Sequence, residues 1–249
     1  MKLEKKIILI TQIFITLSFI IIWEILSKQG IINSFIFSSP AKIIKCLYEL
    51  YIANNLWIHI YVTLKEIFIS FALGSIIGFS FAVIFYSIPI LKKIFDPFLT
   101  ILNSLPKVSL GPLLIIWLGA NIKSIIVMSL LINTIVTLIS IYNGLINTDS
   151  YKIKLFHSFN ATNYQILTKL IIPHNIEVII SSLKLNISMS LIGVIMGEFL
   201  VSKAGIGYLI LYGTQVFNLT LVMTGIILIL IISFIIYQII TFFEKNYNT

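Results

Sequence analysis

The chain has 249 residues, 59% of them hydrophobic and 10% charged, with a mean hydropathy of +1.07. Soluble domains carry roughly 25% charged residues, so 26 charges cannot coat a water-soluble fold this apolar, and disorder needs the opposite composition. The net charge of +8 comes from 17 lysines and no arginine, scattered between apolar runs; phosphate recognition favours arginine forks, so nucleic acid is excluded as a partner and lipid is the solvent.

The first apolar run, residues 7–26, follows a basic start but is too long for a signal peptide and lacks a small-x-small cleavage site, so it reads as a retained anchor. In the loop that follows, Ser39 and Pro40 read as a helix N-cap and first-turn proline. Ile43, Ile44, Leu47, Tyr48 and Tyr51 then share a face, with Lys42, Lys45 and Glu49 turned away, which predicts an amphipathic helix lying on the membrane surface. Lone Cys46 permits no intramolecular disulfide.

Five further spans are predicted at about 63–86, 97–118, 122–146, 179–200 and 221–243. Continuous apolar runs of this length are helices rather than barrel strands, so the expected fold is all-α with six transmembrane helices. Nine lysines (2, 5, 6, 92, 93, 152, 154, 169 and 245) fall inside if the N-terminus is cytoplasmic, and six (28, 42, 45, 65, 123 and 203) outside. Both termini are therefore expected in the cytoplasm.

The second span carries Ser70, Gly74, Gly78 and Ala82 at intervals of four, and the fifth carries Gly193 and Gly197. Small residues at this spacing let another helix approach closely, either inside the bundle or at a subunit interface. The third span is unusual. Asp96 and Pro97 predict its start, and Asn103, Ser104, Pro106, Lys107, Ser109, Gly111 and Pro112 follow. At 1.5 Å per residue Lys107 lies about 15 Å in, and the two prolines break the helix there. Broken backbone at membrane depth is tolerated only against protein or water, so Pro106, Lys107, Gly111 and Pro112 are candidates for a translocation path. The alternative is an oblique helix from which Lys107 snorkels to the surface. Glu198, about 28 Å along the fifth span, reads as an interfacial or gate-packing residue and joins the path candidates, while Glu24 reaches the headgroups. His59, His157 and His174 are far apart and read as surface or headgroup residues, with no metal or catalytic constellation.

Between the fourth and fifth spans, residues 147–178 are too polar for lipid and too few for an enzyme domain. Asp149 can cap a short helix, Asn160 suits its left-handed end, a second helix runs over about 162–170, and Pro173 restarts the chain toward the fifth span. The segment is a two-helix cytoplasmic knob.

Here the sequence resembles the permease subunits of ABC importers, of the nitrate/sulfonate/taurine type. Their cytoplasmic segment carries Glu-Ala-Ala, three residues, Gly, nine residues, Ile-x-Leu-Pro. In this chain Lys154 to Ala161 and Leu170-Ile171-Ile172-Pro173 occupy it, with the Glu-Ala-Ala replaced and Asn160 in place of the glycine. Further similarities follow in order: Ser39-Pro40, Phe71-Ala72-Leu73-Gly74, Asp96-Pro97, Leu105-Pro106-Lys107, Gly111-Pro112-Leu113, Trp117-Leu118-Gly119, Tyr142-Asn143-Gly144-Leu145, Gly197-Glu198-Phe199-Leu200 and Ala204-Gly205-Ile206-Gly207.

The resemblance implies a type I importer permease bundle, with an anchor and amphipathic helix over 1–56 and a permease domain over 57–245. It implies a homodimer of this subunit, two copies of a separate ATPase, and an extracytoplasmic solute-binding protein, in a bacterial plasma (inner) membrane. Lys154, Ser158, Asn160, Ala161 and Pro173 would form the ATPase-coupling element, with Lys154 reversing the charge of the usual acid. The chain itself carries no Gly-x-x-x-x-Gly-Lys-Ser/Thr loop, so no cofactor is expected in it and ATP would be bound by the partner. Substrates handled by the group include nitrate, sulfonates, cyanate-like anions, aromatic acids and thiamine precursors. The rival reading is an ATP-independent secondary transporter or channel using Lys107 and Glu198, but no internal repeat of the kind such proteins often carry is visible.

Overall fold

The computed structural model describes residues 2–53 and 55–247, with side chains between 6 and 241 except 9 and 54. The side chains of Lys2, Lys5 and Lys245, which enter the lysine balance, lie outside that set. Among the described residues every regular element is helical. Five helices are long and apolar enough to cross a bilayer: α1 (Lys2–Lys28), α3 (Leu56–Ser87), α6 (Ile122–Ile146), α10 (Ile176–Val201) and α12 (Leu219–Tyr247). One further pair of helices is long and apolar enough to cross only when its two halves are taken together. In it α4 (Pro89–Ser104) meets a short 3-10 turn (Lys107–Leu110) and α5 (Gly111–Leu118) at a bend of 88°. The remaining helices are α2 (Pro40–Ile52), α7 (Ser150–Ser158), α8 (Asn163–Ile166), α9 (Ile172–His174) and α11 (Ile206–Gln215).

The third span departs from expectation at its start. The helix opens at Pro89, a first-turn proline, and runs through Pro97 rather than beginning there. Proline lacks a donor but not an acceptor, so an interior proline removes one rung while its neighbours hold the helix. The break falls at Leu105 and Pro106, where the backbone turns extended, because a residue before proline is driven out of the helical region.

Contacts group the chain into two units, one of residues 62–203 and 231–249, the other of 1–61 and 204–230. In the first, α6 and α10 form the most extensive helix pairing. Lipid offers no hydrophobic drive between helices, so close backbones and polar bonds must hold them. A β-carbon at Gly193 would lie 2.9 Å from Ser129 Cβ, and one at Gly197 2.9 Å from Ile125 Cα. On α3, Gly74 faces the Asn133 amide and Gly78 faces Thr137. All four glycines of the small-residue stripes thus lie against other helices of this same chain.

A buried polar seam runs beside them. Asn133 Nδ2 donates to Ser70 O (3.0 Å) and Ser190 Oγ (2.6 Å), and Ser190 Oγ donates to Asn186 Oδ1 (3.0 Å). Asn186 Nδ2 in turn donates to Thr137 Oγ1 (2.8 Å) and Ser75 Oγ (3.2 Å). Interhelical bonds of this kind contribute about 0.6–2 kcal/mol each in membranes. Asn133→Ala removes two of them and should lower stability by about 1–3 kcal/mol, read as a lower melting temperature in detergent. An unchanged melting temperature would show that the seam adds nothing to the packing.

In the second unit, Ser39 caps α2 by accepting from Lys42 N (3.3 Å), and Pro40 opens the helix. Ile43 is buried, whereas Ile44, Tyr48 and Tyr51 face outward. Glu24 does not reach for headgroups alone. Its Oε2 accepts from Ala41 N (3.0 Å) and its Oε1 pairs with Lys28 (3.2 Å), placing an acid at the positive end of α2. His59 is likewise buried rather than at a surface: its Nδ1 accepts from Gly205 N (2.9 Å), and its ring stacks on Tyr208 at 5.8 Å. Gly205 holds φ +116°, a conformation reserved for glycine, and this turns its N–H onto the imidazole.

Candidate translocation and coupling sites

Of the path candidates, Pro106 starts the 3-10 turn, and Gly111 and Pro112 open α5, where Gly111 lies under Leu200. Lys107 Nζ bends back to Asn103 O (3.1 Å). Around it Asn103, Ser104 and Ser109 are exposed, and α4 buries none of its residues. Lipid cannot satisfy exposed polar groups and broken backbone, so this elbow belongs against water or another protein surface.

Glu198 is not part of that elbow. It is fully buried, with Oε1 accepting from Thr63 Oγ1 (2.6 Å), and its carboxyl stands against that of Glu66 on α3. Glu66 was not singled out from the sequence, where an acid beside Lys65 at the head of a span looks interfacial. Its spacing to Thr63, Ser70 and Gly74 puts it on one helical face, and that was the available signal. Lys184, inside α10, also escaped the sequence reading; its ammonium lies 5.9 Å above the Tyr237 ring.

The two-helix knob is built around Asn160. Asp149 Oδ1 accepts from Tyr151 N (2.8 Å) and caps α7. The helix ends with Ala161 N donating to Phe156 O (3.1 Å) and Asn160 N to His157 O (2.9 Å), a closure that sets Asn160 at φ +56°. Thr162 and Gln165 then form a reciprocal capping box on α8.

The second knob helix differs from the single run expected over 162–170. It is α-helical only to Ile166 and widens to a π-turn over Leu167–Ile171. Pro173 explains this, since its ring displaces the carbonyl four residues back and it offers no N–H to the ladder. Pro173 thus sits within the helical path rather than after it.

Inward, Ile153, Phe156 and Ala161 pack on a core of Ala82, Ile141, Leu145, Ile166 and Ile171, which ties the knob to α3 and α6. Outward, Tyr151, Leu155 and Phe159 are 78%, 54% and 75% exposed. Lys154 Nζ lies 5.7 Å over the Tyr151 ring, and Ser158 Oγ donates to Leu155 O (2.7 Å). Beside α7 a hollow of about 520 Å³ opens between Tyr86, Pro89, His157 and Tyr164. Among the described residues no group of three or more metal-ligating side chains occurs.

Spanning-length apolar helices, a proline-broken helix pair and a well-packed two-helix knob thus occur together in one chain. The chain belongs to the family of binding-protein-dependent transport system inner membrane components, whose model matches residues 70–249. It is therefore a multi-pass inner-membrane permease subunit of an ABC importer, non-catalytic itself, with ATPase and binding-protein partners implied in general terms.

Among its relatives, a probable ABC transporter permease protein of Haemophilus influenzae is 29% identical over 232 residues, covering 93% of this chain and 94% of that one. The formylaminopyrimidine transport permease protein ThiX of Halalkalibacterium halodurans is 26% identical, covering 77% and 76%. The putative aliphatic sulfonates transport permease protein SsuC of Bacillus subtilis is 23% identical, covering 86% and 78%. The fold matches an inward facing conformation of the MetNI methionine ABC transporter with a TM-score of 0.67 at 19% identity, over 78% of this chain and 95% of that one.

Proposed function

We propose that two copies of this subunit enclose the pathway, with both termini in the cytoplasm, and that each α7 docks in a groove of a separate ATPase that binds the ATP. The observation that carries this reading is the knob: a helix anchored by its inner face to α3 and α6, with Tyr151, Leu155 and Phe159 left open outward. An element so anchored transmits a push to the spans instead of bending under it. Lys154, Ser158, Asn160, Ala161 and Pro173 shape this element, and Lys154 calls for an acid or a carbonyl in the ATPase groove. That α4 has no fully buried residue supports pairing with a second copy, and the polar elbow at Pro106 to Pro112 would then line the path between copies.

The substrate is a small solute delivered by an extracytoplasmic binding protein. Lys107 favours an anion electrostatically, and relatives named for sulfonates, taurine and formylaminopyrimidine transport keep sulfonate-like and thiamine-precursor-like solutes in view. The domain division at residue 57 follows the same reading, with the anchor and surface helix preceding the permease bundle.

The test is purification of the tagged chain in mild detergent from cells that also express the candidate ATPase subunit, and native mass measurement of the complex. Two ATPase subunits per two copies are expected, and Lys154→Glu should weaken their retention. A stable particle that holds no ATPase would overturn the coupling assignment in favour of an ATP-independent transporter.

A further inference from the structure

Between α10 and the second half of α12 runs a groove of about 200 Å³, walled by isoleucine and leucine except at Lys184, Ser188, Ser233 and Tyr237. Ile187 and Ile236 are buried and form its floor, while Ile192 and Tyr237, 47% and 57% exposed, stand open at its rim. At 1.5 Å per residue the groove extends about 12 Å along α10, from Lys184 at the end nearer the knob to Ile192.

The cation at one end gives this apolar groove a polarity. Lys184 lies about 7.5 Å inside the predicted start of the fifth span at 179, a depth from which a lysine stem reaches toward the headgroups. A cation on a membrane helix is costly unless water or an anion meets it. Its ammonium lies 5.9 Å over the Tyr237 ring, which holds it beside a tyrosine, the residue type that anchors helices at headgroup level. Ser188 Oγ donates to Lys184 O (3.2 Å) and so is satisfied by its own helix.

We propose that the groove binds an anionic phospholipid of the knob-side leaflet, its phosphate at Lys184 and Tyr237 and one acyl chain along Ile187, Leu191 and Ile192. The proposal rests on the chain's spanning a membrane, and not on the ATPase or the direction of transport. A small hydrophilic anion would meet apolar walls beyond the lysine, whereas an acyl chain matches them. A second copy of this chain would have to bring an acid to Lys184. Among the described acids on the apolar helices, Glu66 and Glu198 are buried, and Glu24 and Asp96 are paired with Lys28 and Lys92 of their own helices. Glu177 is exposed, but it lies about 10 Å nearer the knob than Lys184, and two copies about an axis along the membrane normal hold equivalent residues at one depth. A phosphate on the knob-side surface supplies the missing charge.

The experiment is native mass measurement and thermal melting of the full-length chain, stripped of lipid in detergent and titrated with dioleoyl-phosphatidylglycerol or dioleoyl-phosphatidylcholine. The anionic lipid should bind at one tight site per chain and raise the melting temperature more than the zwitterionic one. Lys184→Gln should weaken phosphatidylglycerol about fivefold, to the level of phosphatidylcholine, while Lys184→Arg and Lys123→Gln, at the far end of α6, keep the preference. Equal binding of phosphatidylglycerol to wild type and Lys184→Gln overturns the proposal. So does stabilisation by inorganic phosphate or a soluble sulfonate that Lys184→Gln abolishes, which would make the groove a solute site. Loss of a two-copy particle by the lipid-free Lys184→Gln variant would overturn it in favour of a second copy on this face.

Discussion

Asn160→Val is expected to abolish ATP-driven uptake while leaving the ATPase subunits able to hydrolyse ATP. The residue closes α7 at φ +56°, with the Ala161 N to Phe156 O bond folding the chain back toward α8. Asparagine tolerates this conformation, but a β-branched side chain is an outlier in it and costs roughly 1–3 kcal/mol. Valine can relieve that strain most cheaply by unwinding the last turn of α7, a helix of only 9 residues. Unwinding frees Phe156 and Ala161 from the core under the knob and re-aims the exposed Leu155 and Phe159.

Transport in proteoliposomes should fall at least about tenfold relative to ATP hydrolysed, taking roughly 1.4 kcal/mol per decade. Asn160→Gly should keep coupling, since glycine adopts the same φ freely. Coupled transport surviving in the valine variant would mean that the left-handed turn is not what orients the knob.

Gly193→Ala should have the largest effect on stability. The α6–α10 contact here is backbone against backbone: a β-carbon at 193 would sit 2.9 Å from Ser129 Cβ and closer still to its Cα, so no side-chain rotation makes room. Opening the pair also stretches the bonds at Ser190, one turn away, which accepts from Asn133 Nδ2 through its hydroxyl and from Ser129 Oγ (3.1 Å) through its carbonyl. Overpacking costs about 1–3 kcal/mol and each lost interhelical bond about 0.6–2 more, against about 1 kcal/mol recovered from alanine's helix propensity. A net loss of about 2–3 kcal/mol is expected, read as a lower melting temperature and a smaller monodisperse fraction in detergent. Full stability would show that α6 and α10 separate without cost.

Much of this architecture is legible in residue order because membrane spans announce themselves by length and apolarity. The caps are equally local: Ser39-Pro40 for α2, Asp149 for α7 and the left-handed Asn160 after it need only near neighbours. The pairing of Ser129 with Gly193 and of Asn133 with Gly74 is not local, since the small-residue stripes alone leave open whether the approaching helix belongs to this chain or to another.

The same limit governed the ionisable groups. Depth along a helix places a residue at the membrane surface or within it, but not on the face that is enclosed. Glu24 found the start of α2, His59 found the Gly205 amide, and Glu66 met Glu198 across two spans far apart in sequence. The elbow shows both sides of the division. Pro106 and Pro112 dictate a break beside Lys107, and the chain turns there. The size of the bend, 88° rather than a mild kink, and the earlier start at Pro89 that carries Pro97 inside the helix were left to the tertiary structure. By itself the sequence determined an all-helical membrane protein with a two-helix knob between two of its spans, because hydropathy and capping act over one turn of chain. Which buried polar groups meet was left to the packing of helices, because those partners lie up to 146 positions apart.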